Sequence, residues 1–374
     1  MTASASGESD HPHFLLTAAG QRLAARGTAA TFLDPHAAAA ALRAGTAPAV
    51  VGALPFDLAD PAALTVPEHF GDVAPAAGSG ARGADLGAPA GAAAELPTLT
   101  QTAQHPAPAE HVDRVRRAIA LIDDSELQKV VLARAVDFEA AAPLDPLAVA
   151  AALEQRDLEG NAFAVDLAAA GDAYRGRWLV GSSPEILVGR MGNTVFCHPF
   201  AGTATTPEGL LDSEKDREEH AYVVDEIAAA LAPLCAELDV PAAPSVTRAG
   251  PVWHLGTKIE GRLADPATTA LDLALALHPT PAVCGFPRRT AARAIADIEG
   301  ERGFYAGAVG WTAANGDGHW RVSIRCAELD GARLRAYAGG GIVGASDPQA
   351  ELAETRNKLR TVLGPFRLTE SARS

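Results

Sequence analysis

The chain has 374 residues, 48% of them apolar, and a formal net charge of −15. That length can bury a large core, and the acidic balance argues against nucleic acid or an anionic membrane surface as a partner. Cys197, Cys235, Cys284 and Cys326 are scattered without CxxC spacing, which predicts free thiols in a reducing cytoplasm and not a zinc site. Residues 1–13 are polar and acidic with no apolar signal-peptide core, and no run approaches transmembrane length.

In chain order, residues 14–60 read as short strands and a helix. Residues 74–108, rich in Ala, Gly and Pro, read as a mobile surface loop or linker. A helix is predicted over 109–122, a strong strand over 127–138 and a helix over 145–156. Strands follow at 162–167, 177–180, 185–190 and 194–198. A helix then starts at Ser213, a strand lies near 253–259, and helices cover 268–277 and 290–298. Three hairpin-linked strands come next, 304–312, 319–329 and 333–338. The Asn315-Gly316-Asp317-Gly318 turn marks one of these hairpins, and a final helix starts at Asp347. Strands arriving in hairpins with helices between groups predict an α+β fold with antiparallel sheets, and one domain over 1–370.

Two helices carry the same device. In the last, Asp347 is placed to cap, Pro348 suits the first helical position, and Glu351, Glu354 and Lys358 share a face. Leu352, Leu359 and Leu363 form a separate apolar stripe. In the helix from Ser213, Asp216 and Glu219 extend the stripe of Val223 and Ile227. There a carboxylate is costly unless paired or bound to a cation. A solvated helix with one Glu354–Lys358 pair would account for the first helix alone. Two acidic i, i+3 pairs together would suit magnesium, which takes one or two carboxylates and accepts oxygens from an anionic substrate.

Other residues stand out singly. Lys129 lies within an apolar strand, where desolvation would lower its pKa toward that of a general base; an edge-strand lysine blocking aggregation would read the same. Glu185 follows Gly181-Ser182-Ser183-Pro184, and a carboxyl buried there could act as a general acid; a turn carboxylate is the alternative. Arg325 alternates with Arg321 and Ser323 on one predicted strand and suits either carboxylate binding or a cross-strand ion pair. The backbone amides of Gly339-Gly340-Gly341 could hold a carboxylate.

Taken in order, these segments resemble the chorismate-utilising enzymes. These are the isochorismate and salicylate synthases and the large subunits of anthranilate and aminodeoxychorismate synthases. The resemblance runs over most of the chain. It rests on Lys129-Val130-Val131-Leu132-Ala133-Arg134, Gly181-Ser182-Ser183-Pro184-Glu185, Pro199-Phe200-Ala201-Gly202-Thr203 and the Ser213 helix. It continues through His254-Leu255-Gly256-Thr257, Leu277-His278-Pro279-Thr280-Pro281-Ala282, Gly307-Ala308-Val309-Gly310-Trp311, Ser323-Ile324-Arg325, Gly339–Val343 and Glu354-Thr355-Arg356-Asn357-Lys358.

The resemblance implies two packed antiparallel sheets flanked by helices, of the anthranilate synthase component I type. It implies Mg2+ held by Glu219 and Glu354, with Asp216 and Glu351 in the second carboxylate positions. Lys129 would activate water and Glu185 would protonate the departing 4-hydroxyl of chorismate. His254, Thr257, Ala282, Tyr305, Arg325, Gly339, Gly340, Gly341 and Lys358 would surround the substrate. Lys129 stands where the anthranilate enzymes carry glutamine, and Ala201 where the aminodeoxychorismate enzymes carry a nucleophilic lysine. Ala282 stands where salicylate synthases tend to carry threonine. With a siderophore-type Leu54-Pro55-Phe56 segment, the pattern points to an isochorismate synthase: a monomer without a glutaminase subunit, with salicylate synthase as the first alternative and an anthranilate or aminodeoxychorismate synthase large subunit as the second.

Overall fold

The computed structural model describes residues 11–18, 20–73, 95–157, 160–204, 206–249 and 252–370. Two large sheets dominate it. In the eleven-stranded sheet the longest strand, Lys129–Ala140, is flanked by Leu99–His105 and Arg333–Ile342. Beyond these lie Cys326–Asp330, Arg177–Ser182, Ala162–Asp166 and Phe14–Ala18. The nine-stranded sheet centres on Ile186–Met191, Gly318–Val322, Ala308–Ala313 and Ala49–Leu54. A third sheet of three strands is built from Phe200–Ala204, Val252–Gly256 and Ser245–Ala249. Pairing is antiparallel throughout, except where Leu368–Glu370 runs parallel to Leu99–His105. The α+β expectation with two packed sheets therefore holds, and the small sheet is an addition to it.

The main core lies between the large sheets. Phe14, Leu16, Phe163 and Leu179 from one meet Val51, Leu54, Val188 and Trp320 from the other. Behind the eleven-stranded sheet, Val149 and Leu153 of the Pro146–Arg156 helix pack with Leu359, Val362 and Leu363 of the Pro348–Leu363 helix. The predicted apolar stripe of that last helix is thus buried. Its start follows the predicted chemistry: Asp347 accepts from the backbone N–H of Gln349 (3.0 Å) and Ala350 (2.7 Å), and Pro348 opens the helix. Ser213 Oγ likewise accepts from Asp216 N at 3.2 Å to start the Glu214–Leu231 helix.

Three expectations are corrected. Part of the segment read as a mobile loop, 74–108, is the strand Leu99–His105, paired along the Lys129–Ala140 strand. Only Leu99 in it is fully buried, so its sequence shows little alternation; residues 74–94 of the expected loop lie outside the described residues. The single strand predicted over 319–329 is two strands in different sheets, Gly318–Val322 and Cys326–Asp330. The break between them is fixed by Ser323, whose N–H donates to Gly307 O (2.9 Å) and whose Oγ donates to Phe304 O (2.6 Å). Arg325 follows at φ 51°, a conformation rare for a residue with a side chain. The strand near 253–259 divides in the same way, into Val252–Gly256 and Ile259–Leu263, with Thr257 at the corner.

The triple glycine does not sit in a loop. It continues the Arg333–Ile342 strand, with Gly339, Gly340 and Gly341 opposite Ala133, Leu132 and Val131. The pairing with Cys326–Asp330 ends at Ala336, so the other edge of the strand is open from Tyr337 onward.

Candidate active site

A cleft opens beside the triple glycine. Nine residues singled out from the sequence line it: Glu185, Glu219, His254, Ala282, Tyr305, Arg325, Gly339, Gly341 and Lys358. Lys129, Thr257, Gly340, Asp216, Glu351 and Glu354 stand behind that lining.

Lys129 is fully buried in an interior strand, so it is not an edge-strand lysine. Its Nζ lies 3.0 Å from Glu219 Oε1 but is poorly aligned for a hydrogen bond. The glycines explain how these groups come so close. A Cβ on Gly341 would stand 2.1 Å from Glu219 Oε1 and 3.0 Å from Lys129 Cε; one on Gly340 would stand 3.0 Å from Glu351 Oε2. The strand therefore dispenses with side chains where two helices drive carboxylates against it.

Around this point four carboxylates, Asp216, Glu219, Glu351 and Glu354, meet three lysines. Lys129 faces Glu219, Lys215 donates to Glu351 Oε1 at 2.9 Å, and Lys358 pairs with Glu354 while donating to Gly339 O at 3.0 Å. Burial and the neighbouring Glu354 charge raise the Glu351 pKa against the pull of Lys215 and Ser346. Burial and Glu219 raise that of Asp216, although the Ser213 hydroxyl opposes them. Burial would raise Glu219 too, but Lys129, Lys358 and Lys215 outweigh it and hold the carboxyl below its usual range. Among the described residues no three carboxylate, imidazole or thiol groups form a ready cation cage. Yet Glu351 Oε2 is buried without a partner, and the carboxylates outnumber the lysines. That donor set, hard, anionic and undercompensated, fits a divalent cation.

On the other side of the cleft, Glu185 is 4% exposed. Burial pushes its pKa up to about 7, against the opposing charges of Lys129, Arg325 and Lys358 and a hydrogen bond from Phe200 N. Its turn is held by Arg321, whose Nη1 donates to Ser183 O at 2.6 Å. Arg321 thus braces the acid's turn and does not share a face with Arg325. Arg325 Nη2 instead donates to His254 Nε2 (3.1 Å), while His254 Nδ1 meets Gly202 O (2.9 Å) and Thr203 Oγ1 (3.2 Å). This arrangement is that of a neutral imidazole protonated at Nδ1; burial, Arg325 and Lys358 all keep its pKa well below the ordinary value. Arg325 is left with nitrogens free to face a carboxylate in the cleft. Thr257 bonds His220 Nε2 at 2.7 Å and acts from behind the wall. Tyr305 stacks on Tyr337 with ring centroids 5.0 Å apart, and burial raises its pKa far above the phenol range.

Several supporting residues escaped sequence reasoning. His278 Nε2 lies 3.1 Å from both Pro55 O and Phe56 O, tying the His278-Pro279 loop to the Leu54-Pro55-Phe56 segment. Arg302 and Glu299 form a buried pair whose only local signal is their i, i+3 spacing.

The chain matches the family of chorismate binding enzymes over residues 87–366. A Mycobacterium tuberculosis protein provisionally named isochorismate synthase MenF is 48% identical over 366 residues, covering 94% of this chain and 95% of its own. Isochorismate synthase DhbC of Bacillus subtilis is 41% identical over 334 residues, 84% of this chain and 80% of its own. The Bacillus anthracis DhbC crystal structure, provisionally a 2,3-dihydroxybenzoate-specific isochorismate synthase, superposes with a TM-score of 0.83 at 36% identity, covering 96% of this chain and 97% of that one. With the ordered motifs, the two-sheet architecture and the acidic cleft, these likenesses establish that the chain belongs to the chorismate-binding enzyme family.

Proposed function

We propose that this chain is an isochorismate synthase, interconverting chorismate and isochorismate. The observation that carries the reading is Glu185: a buried carboxyl at the cleft that keeps its proton up to about pH 7, opposite a lysine–carboxylate cluster. In the forward direction water adds at C2 of the ring, the double bonds shift, and the 4-hydroxyl departs with the Glu185 proton as water. One water enters and one leaves, so the reaction balances. In reverse, ionised Glu185 takes a proton from the water that attacks C4. Lys129 accepts the proton of the C2-attacking water as the neutral amine, which requires that the ammonium first leave its contact with Glu219 and release its own proton to solvent. Arg325, Lys358 and the open edge of Gly339–Gly341 orient the substrate carboxylates. Glu219 and Glu354, seconded by Asp216 and Glu351, would hold magnesium, which when bound neutralises the ring carboxylate against this acidic wall.

At the position where the aminodeoxychorismate enzymes carry a nucleophilic lysine, the cleft wall has Ala201, which favours water over an amine nucleophile. Relatives named isochorismate synthase at 48% and 41% identity support the same choice. We further read the chain as one folding unit that acts as a monomer without a glutaminase, in the cytoplasm, feeding siderophore or other 2,3-dihydroxybenzoate- or salicylate-type metabolism. The four free thiols and the absence, among the described residues, of a helix able to cross a membrane are in keeping with that setting. The test is incubation of purified protein with chorismate and magnesium, with chromatographic separation of products. Isochorismate as sole product is expected. Salicylate with stoichiometric pyruvate, an amino product formed with ammonia, or no turnover would each overturn the reading.

A further inference from the structure

Arg302 does not itself line the proposed substrate site, yet it joins three of the segments that build it. It is 7% exposed. Its Nη1 donates to Val283 O at 2.8 Å and its Nη2 to Val131 O at 2.7 Å. Val131 and Val283 are both cleft walls; Lys129 is two residues from the first, and Ala282 adjoins the second. The same guanidinium lies 4.6 Å from the centroid of the Phe56 ring. It also bonds Glu299 through Nε (2.9 Å) and Nη2 (3.0 Å), and Glu299 Oε1 accepts from Ala133 N at 2.5 Å. One cation thus spans the Lys129 strand, the Ala282 loop and the Leu54-Pro55-Phe56 segment.

We infer that Arg302 is a positioning residue: where the Ala282 loop leaves the short ladder that pairs Gly285 and Phe286 with Val130 and Lys129, it pins Val283 beside Val131, and so sets where Ala282 meets the substrate relative to the base. An ion pair for stability alone would not need this arrangement. A buried pair contributes little net stability over apolar packing, and Glu299 could be satisfied by one donor. Bonding the carbonyls of two adjacent segments at once, just past the end of their ladder, suits the rigid guanidinium fork, which a lysine ammonium lacks.

The inference rests on the isochorismate synthase reading for its choice of substrate. The assay therefore follows chorismate consumption, and product identity is scored separately on the wild type. If the wild type consumes chorismate to another product, the functional reading fails while the brace is still tested. Arg302→Lys keeps the charge beside Glu299 but cannot bridge both carbonyls. Glu299→Gln keeps both carbonyl bonds and an acceptor for Ala133 N. With folding checked by circular dichroism, Arg302→Lys is expected to lose about 10-fold to 100-fold in kcat, as small misplacements do, with KM within about threefold. Glu299→Gln is expected to keep kcat within about threefold even if its unfolding temperature drops. A folded Arg302→Lys with near wild-type kcat overturns the inference. So does an equal loss in both variants, which would make the pair a stability element only. Should Arg302→Lys not fold, Phe56→Leu loosens the same guanidinium from the other side. A fall in kcat at unchanged KM supports the brace, and unchanged kcat overturns it.

Discussion

Replacing Glu185 with glutamine separates catalysis from stability in opposite directions. The wild-type carboxyl has a pKa near 7 in place of 4.5, chiefly because it is buried. Near neutrality about half the molecules therefore hold the proton that the departing 4-hydroxyl needs. Glutamine keeps the shape but delivers no such proton, and the forward rate should fall by about 10²–10⁴. In the wild type, forward kcat should decline as pH rises through about 7, and reverse kcat should rise over the same range. Below about 4.5 both folded and unfolded states hold the proton; between 4.5 and 7 only the folded state does; above 7 neither does. Stability contributed by the protonated folded form is thus lost as pH rises across that window, by roughly 3 kcal/mol at about 1.4 kcal/mol per pH unit. Glutamine does not titrate. Its stability relative to wild type should therefore improve by roughly 2–3 kcal/mol between pH 5 and pH 8, read from urea unfolding at both. Near wild-type turnover in either direction would refute the general-acid role. A stability difference that does not change with pH would refute the claim that burial holds the proton.

Three further predictions follow from the carboxylate–lysine cluster. Lys129→Ala should lower isochorismate formation by about 10²–10⁴ while retaining chorismate binding by calorimetry; because Glu219 is left buried and unpaired, its unfolding free energy should also fall by about 3–5 kcal/mol. Turnover close to wild type would make Lys129 structural. Glu219→Gln and Glu354→Gln should each weaken magnesium binding about tenfold or more in a direct titration, and unchanged affinity in both would sink the ligand assignment. Gly341→Ala puts a methyl 2.1 Å from Glu219 Oε1. It should destabilise by about 1–3 kcal/mol through overpacking and reduce magnesium affinity as Glu219 is displaced; unaltered stability and affinity would show that the glycine is not required for the approach.

The sequence by itself determined the local structure and the types of group available for chemistry. Asp347-Pro348 and Ser213 start their helices as capping chemistry requires, because a cap depends on three or four consecutive residues. The acidic faces of both helices, the apolar strand around Lys129 and the Ser-Ser-Pro-Glu turn were legible for the same reason, and their order along the chain resembled one family. Tertiary structure decided what those groups meet. Periodicity over 319–329 cannot show that the chain leaves one sheet at Ser323 and enters another at Cys326. That crossing is held by bonds to Phe304 and Gly307, and it separates Arg321 from Arg325. Nor can Lys129 reveal its contact with Glu219, ninety residues away in sequence, or Arg302 its two carbonyls on segments remote from each other in sequence. The shift of Glu185 likewise comes from burial under segments remote in sequence, and desolvation belongs to the packed molecule and not to any stretch of the chain.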